Sequence, residues 1–128
     1  MLKDEYKQII KSNERFYGKH TIMNCSDCNI SILKKDHIVS FIKDLVFKID
    51  MVAFGDAIVE RFGEGIEVGI SAVQLIETSA ITIHTNDMAK DLYLDVFSCK
   101  DYDEKIVNQV VNQWFNPKNY ETNVFYRK

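Results

Sequence analysis

The chain reads as an α+β protein, a two-layer sandwich in which one antiparallel β-sheet carries helices on a single face. Three observations lead there. Residues 38–46 and 106–115 repeat apolar side chains at i, i+3, i+4 and i+7, the period of a buried helical stripe. Three runs lying close together, 72–76, 80–85 and 92–99, are rich in Val, Ile and Thr and alternate partly with period two. Helices and strands are also mixed without strict strand–helix–strand alternation, which favours an antiparallel sheet covered on one side over a parallel one.

Taken in order, residues 4–16 place Tyr6, Ile9, Ile10 and Phe16 at spacings that predict a short amphipathic helix, broken by Gly18. Residues 20–25 (HTIMNC) predict a strand, and 24–29 are rich in turn formers. Asp36 is placed to cap the helix whose stripe is Ile38, Val39, Phe41, Ile42, Leu45 and Val46. Residues 51–59 read as a strand and 61–68 (RFGEGIEV) as a glycine-punctuated loop, followed by the three strand-like runs. Asp101 and Asp103 can start a helix whose face is Ile106, Val107, Val110, Val111, Trp114 and Phe115. Pro117 ends it, and 123–127 add an edge strand.

At 128 residues the chain has the size of one domain, and 46% hydrophobic against 27% charged residues supply a core. A net charge of −3 gives no electrostatic reason to expect nucleic acid or an anionic membrane as partner. No apolar stretch approaches the roughly 20 residues of a membrane span. The charged N-terminus (MLKDEYKQIIK) lacks the apolar core of a signal peptide, so a cytoplasmic location is expected. Cys25, Cys28 and Cys99 are an odd count, which suits free thiols in a reducing compartment. One proline and five glycines exclude a low-complexity linker, and no internal repeat is present.

The segment from Gly69 to Cys99 holds the unusual residues. Ser71, Ser79, His84 and Cys99 interrupt runs that otherwise suit core strands. A hydroxyl, an imidazole and a thiol on neighbouring strands can form an acid–base site. An isolated Ser or Cys in a strand also serves packing, and a lone His serves as a hydrogen-bonded structural residue. Composition and spacing leave both readings open.

The same segment resembles the core of the bacterial and archaeal S-adenosylmethionine decarboxylases. The resemblance rests on Gly69-Ile70-Ser71-Ala72, Ser79-Ala80-Ile81-Thr82-Ile83-His84 and Asp95-Val96-Phe97-Ser98-Cys99, three blocks in register without a gap. Gly18-Lys19-His20 is similar, more weakly, to a Gly-Arg-His near the start of that family. The resemblance implies a self-cleaving decarboxylase of polyamine biosynthesis whose cofactor is a covalent pyruvoyl group made from Ser79. By residue, it implies Ser79 as the cleavage-site serine, His84 as the processing base, Ser71 as a helper in processing and Cys99 as the catalytic proton donor. The single domain 1–128 would split between Thr78 and Ser79 into 1–78 and 79–128. It further implies a homodimer with sites near the interface and a small amino-acid-type substrate held through a Schiff base.

The chemistry accounts for these residue types. Decarboxylation leaves a carbanion at Cα, and a carbonyl built from the chain can serve as its electron sink. Ser79 Oγ attacking the Thr78 carbonyl converts an amide to an ester, and such attack requires a strained or pre-oriented corner, for which the turn at Glu77-Thr78-Ser79 is the candidate. A thiol of ordinary pKa near 8.5 can return a proton near neutral pH. Ser79 and His84, five apart, face opposite sides of a flat strand, so a bend or a neighbouring strand is needed to join them.

Departures from the family pattern are concentrated beside these residues. Thr78 stands where the family has glutamate, Ala80 where it has histidine, Lys100 where it has glycine, and Asn86-Asp87-Met88 where it has Trp-Pro-Glu. The family's aromatic residue before the first serine falls at Gly65, with Phe62 nearby. The nucleoside-binding set is therefore thin, and Phe62, Glu67 and Asp87 are its candidates. A carboxylate at Glu67 or Asp87 also suits the distal cation of ornithine or arginine, so a decarboxylase for those substrates is the alternative. Thr78 and Ala80 motivate another alternative, a non-catalytic regulatory homologue that is never processed.

Cys25-Ser26-Asp27-Cys28 is a C-x-x-C, but only His20 and His37 are free to complete a zinc site; incidental thiols are the simpler reading, and no metal is expected. His37 reads as a surface residue. Gly63-Glu64-Gly65 lacks the Gly-Lys-Ser/Thr of a phosphate loop and reads as a flexible loop near the pocket. Trp114 and Phe115 read as helix packing.

Overall fold

Where the apolar spacing of residues 4–16 predicts a helix, the chain makes a β-hairpin in the computed structural model, which describes residues 3–128. Strands β1 (Ile9–Lys11) and β2 (Glu14–Phe16) are joined by Ser12 and Asn13, with φ of 50° and 65°. Two consecutive left-handed residues are what a tight type I′ turn needs, and Asn is among the few residues that adopt it cheaply. Ile9 is buried and Ile10 exposed, the period of a strand. The hairpin docks through Phe16 on Tyr126 (ring centroids 5.6 Å) and the Tyr17 N–H on the Arg127 carbonyl.

Strand β3 (Gly18–Ser26) follows, then a 3-10 turn (Ile30–Leu33) and helix α1 (Lys35–Lys48). Asp36 does not cap this helix. The preceding 3-10 turn makes Lys34 the cap residue, and Asp36 sits in the first turn, where its carboxylate suits the positive end of the helix dipole. The strand expected at 51–59 is shifted along the chain: Ala53 forms an isolated bridge to Ile76, and β4 (Ile58–Phe62) begins with Ile58 and Val59 of that run and continues through Arg61 and Phe62, where a loop is expected. Strands β5 (Gly69–Ile76), β6 (Ser79–Asn86) and β7 (Asp91–Ser98) correspond to the three predicted runs. Helix α2 (Glu104–Phe115) starts at Asp103, whose side chain accepts the Lys105 N–H at 2.9 Å. It ends at the left-handed Asn116, before Pro117, and β8 (Asn119–Arg127) closes the chain as an edge strand.

The sheet order is β4-β5-β6-β7-β3-β8, and every pairing is antiparallel. Alternate residues of each central strand point to one face, where Met23, Ile70, Ala72, Ile81, Ile83, Leu92, Leu94 and Val96 are buried. That face meets Ile38, Phe41, Ile42 and Leu45 of α1 and Val107, Val110, Val111 and Phe115 of α2, with the Phe41 and Phe115 rings 4.8 Å apart. Both helices cover this face, so the fold is the expected two-layer α+β sandwich. On the opposite face Ile58, Val73, Leu75, Tyr93 and Phe125 remain exposed. No helix among the described residues is long and apolar enough to cross a membrane.

One charge is buried within the layer. Lys19, 2% exposed, donates to the Glu104 carboxylate at 2.6 Å and to the Tyr102 carbonyl, which ties the start of α2 to β3. Burial by itself lowers the lysine pKa, but the Glu104 hydrogen bond and charge outweigh it and the net direction is upward. The same bond holds the Glu104 carboxyl below its ordinary range. Glu104 therefore contributes stability that is present above about pH 4.3 and is lost as pH falls through its lower folded-state value. Glu104→Gln is expected to lower unfolding free energy at pH 7 by about 2 kcal/mol, less than for a fully enclosed pair because Glu104 is partly open to solvent. Urea unfolding at pH 7 and pH 3 checks this: the deficit should shrink at pH 3, and an equal deficit at both values contradicts the account.

Candidate active site

The register of β5, β6 and β7 sets where every candidate side chain lies. Ser71 is opposite His84, and their side chains meet on the uncovered face with Oγ and Nδ1 2.9 Å apart. Gly69 makes this alignment possible: a Cβ there would lie 1.8 Å from the Thr85 carbonyl oxygen, so no other residue fits without moving β6. Phe62, opposite Gly69, is exposed at the end of β4. Glu67 lies in the 3-10 turn Gly65–Glu67, exposed beside it. Asp87 follows β6 at the same end, held by Arg61 Nε at 3.0 Å on Oδ2, while its Oδ1 is buried without a partner among the described residues. Arg61 also donates to the Leu33 carbonyl.

Ser79 is at the other end of β6, opposite Ile76 on β5 and Ser98 on β7. Glu77 and Thr78 form the turn between β5 and β6. The Thr78 carbonyl accepts the Cys99 backbone N–H at 2.9 Å, and the Cys99 side chain is partly exposed. The Thr78 hydroxyl lies 2.8 Å from Ser98 Oγ and 3.3 Å from Met51 Sδ. The φ of Ser79 is 157°, a positive value rare outside glycine. The corner is thus oriented by hydrogen bonds together with an unusual backbone at Ser79.

The candidates therefore form two groups. Thr78, Ser79 and Cys99 stand together at one end of the strands, and Ser71, His84, Phe62, Glu67 and Asp87 at the other. β6 runs unbroken from Ser79 to Asn86, so no bend joins them. Five residues of extended chain separate Ser79 from His84 by about 16 Å.

Between the two ends is an arrangement that sequence reasoning missed. His20 Nε2 is 2.9 Å from Asp95 Oδ1, and Thr82 donates to Asp95 Oδ2 at 3.3 Å, on the uncovered face. His20 and Asp95 lie in blocks already noted for similarity, and the signal for their contact is the antiparallel pairing of those blocks. Ser98 and Met51 were missed because a serine and a methionine in apolar surroundings carry no distinguishing pattern. His37 is half-buried rather than on the surface: its Nδ1 is enclosed without a partner, and its ring sits edge-on to Trp114 at 6.5 Å. Trp114 itself packs between the helices, its indole donating to Asp44 at 2.9 Å. Among the described residues no group of three His, Cys, Asp or Glu side chains comes together as a metal ion would need.

The sequence matches the S-adenosylmethionine decarboxylase family over residues 19–128. The chain belongs to that family. Its fold is also similar to the crystal structure of the adenosylmethionine decarboxylase from Aquifex aeolicus, with a TM-score of 0.75 at 20% identity, covering 89% of this chain and 92% of that one. By family it is a decarboxylase, a carboxy-lyase. All three sequence blocks lie in the matched region, on β5, β6 and β7, and the departures at Thr78 and Lys100 fall within one shell of Ser98.

The decarboxylase's three thiols differ in environment. Burial pushes the Cys25 thiol up to about 12 and the Cys28 thiol up to about 11. Relative to an ordinary thiol at 9.0, the thiolate fraction of Cys25 at neutral pH drops roughly a thousandfold. Iodoacetamide at pH 7 is expected to label Cys99 in the folded protein, with Cys25 and Cys28 reacting only after denaturation. Peptide mapping of the alkylated sites checks this, and comparable labelling of all three in native protein contradicts it.

Proposed function

We propose that this chain is a self-processing, pyruvoyl-dependent S-adenosylmethionine decarboxylase that cuts itself between Thr78 and Ser79 and uses residue 79 as its cofactor. The observation that carries the reading is the Cys99 N–H donating to the Thr78 carbonyl. Attack by Ser79 Oγ on the Thr78 carbonyl carbon places negative charge on that oxygen, and a backbone amide already aimed at it stabilises the charge as it forms. The amide nitrogen leaves the carbon as the new ester bond forms. A base then removes the Cα proton of residue 79, the Thr78 carboxylate departs, and hydrolysis of the remaining enamine with loss of ammonia leaves a pyruvoyl terminus.

The residues fit such a group. A partly exposed thiol, Cys99, adjoins the position where it would form, and the preceding chain is anchored through Thr78. The pyruvoyl carbonyl supplies the electron sink for the carbanion left by departing carbon dioxide. Cys99 returns a proton to the substrate Cα. In the tautomer whose Nδ1–H donates to Ser71 Oγ, 2.9 Å away, His84 keeps a lone pair at Nε2 to accept the proton during processing.

His84 stands about 16 Å from Ser79 in its own chain, so the base in this reading comes from a second copy. Two copies related by a two-fold axis through the uncovered sheet face exchange ends, bringing Ser71 and His84 of one toward Ser79 and Cys99 of the other. The exposed Ile58, Val73, Leu75, Tyr93 and Phe125 on that face support the pairing, since they would otherwise remain in water. For the substrate, the Arg61–Asp87 pair is informative. Asp87 already has a cation against one oxygen, which disfavours it as a receptor for the distal amine of ornithine or the guanidinium of arginine. Adenosylmethionine is therefore the first substrate.

Intact mass spectrometry under denaturing conditions tests the reading. The expected result is two fragments, 1–78 and 79–128, the second carrying a pyruvoyl end, with Ser79→Ala abolishing cleavage and carbon dioxide release together. A single 14.9 kDa species after prolonged incubation contradicts it and favours an unprocessed regulatory homologue.

A further inference from the structure

Two departures from the family pattern, Thr78 and Lys100, flank the scissile corner, and both contact one buried hydroxyl. Ser98 is 0% exposed, on the helix-covered side of β7. Its Oγ accepts the Lys100 backbone N–H at 2.9 Å and donates to Thr78 Oγ1 at 2.8 Å, and the Thr78 hydroxyl in turn faces Met51 Sδ at 3.3 Å. Ser98 Oγ also lies 3.6 Å from the same sulfur, so the two hydroxyls, the Lys100 N–H and Met51 form one connected network. The loop carrying Met51 is itself fixed: Lys100 Nζ donates to the Asp50 carbonyl and carboxylate at 2.7 and 3.0 Å, and the Glu77 N–H donates to the Val52 carbonyl at 2.9 Å.

We propose that Ser98, acting through the Thr78 hydroxyl, is a positioning residue for chain cleavage. This inference rests on the self-cleavage reading above. Thr78 is held at two points, its carbonyl by Cys99 N–H and its side chain by Ser98, and two points fix the rotation of the peptide plane that Ser79 Oγ attacks. Intramolecular attack is sensitive to such alignment because the reacting atoms must approach along one direction. A glutamate at position 78 has no hydroxyl to offer, so the Ser98–Thr78 bond is this chain's own means of holding the corner. Ser98 touches neither the attacked carbon nor the attacking oxygen; its effect passes through Thr78.

The test uses the full chain made by cell-free synthesis and follows the first-order rate of its conversion to fragments by intact mass. Thr78→Val keeps the shape of the side chain and removes the hydroxyl; it is expected to slow cleavage by about tenfold, as is Ser98→Ala. The double variant should be no slower than either single one, because both remove the same bond. Thr78→Ser, which restores the hydroxyl, should recover most of the lost rate, whereas a packing role for the threonine methyl would make the serine variant slow and leave the valine variant near the wild-type rate. A Thr78→Val chain that cleaves at the wild-type rate, or losses that multiply in the double variant, overturns the inference while leaving self-cleavage intact. If Ser98→Ala fails to fold, the Thr78→Val and Thr78→Ser pair decides alone. A wild-type chain that stays whole overturns the self-cleavage reading and this inference with it.

Discussion

Strand β6 is paired along both edges, with β5 on one side and β7 on the other, and that double ladder governs the rest of the site. A strand hydrogen-bonded on both sides cannot fold back to bring its own ends together. The ladder places Ser71 against His84 at one end and Ser79 against Ser98 at the other, at a fixed separation. Every chemical step assigned to this chain has to be compatible with that separation. The Thr78–Ser79 corner and the Cys99 thiol belong to one end, the His84 imidazole and the candidate substrate contacts to the other.

The helices act on the same geometry from behind. Because α1 and α2 both cover one face, the ladder's other face is left with its Ser71–His84 pair, its His20–Asp95–Thr82 cluster and several apolar side chains in the open. The Lys19–Glu104 bond keeps α2 seated against β3, and the segment between β7 and α2 carries Cys99 and Lys100 back toward the turn at Thr78. Packing on one face thus determines which chemistry is presented on the other. Two copies joined through the open faces would complete what each chain holds in halves.

Much of this was legible in the sequence because it depends on local pattern. The period of Ile38 to Val46 and the period-two runs after Gly69 report burial directly, so the helices and the three central strands follow from them. The hairpin at Ser12-Asn13 was not legible because so short a segment satisfies helical spacing by chance, and the positive φ of two turn residues decided the matter. Asp36 looks like a cap because the preceding 3-10 turn, Ile30–Leu33, is too short to show a helical period. At the site, residue types and order single out Ser71, Ser79, His84 and Cys99 as candidates, whereas their division into two groups depends on register. Register is set by pairing partners distant in sequence, which is also why the contacts of Ser98 and Met51 are not legible and why His37 reads as a surface residue although it is half-buried.

The division of the site is the central claim, and complementation between variants tests it most directly. In the proposed scheme Ser79→Ala is not cut, and His84→Ala lacks the base that its neighbour needs. The two are produced together in one cell, with tags of different mass, and the fate of each chain is followed. If the base acts across the dimer, the His84→Ala chain is cut in the mixture, though it stays whole when produced alone. A His84→Ala chain that remains uncut beside Ser79→Ala, or that cuts itself without help, contradicts a site assembled from the opposite ends of two sheets.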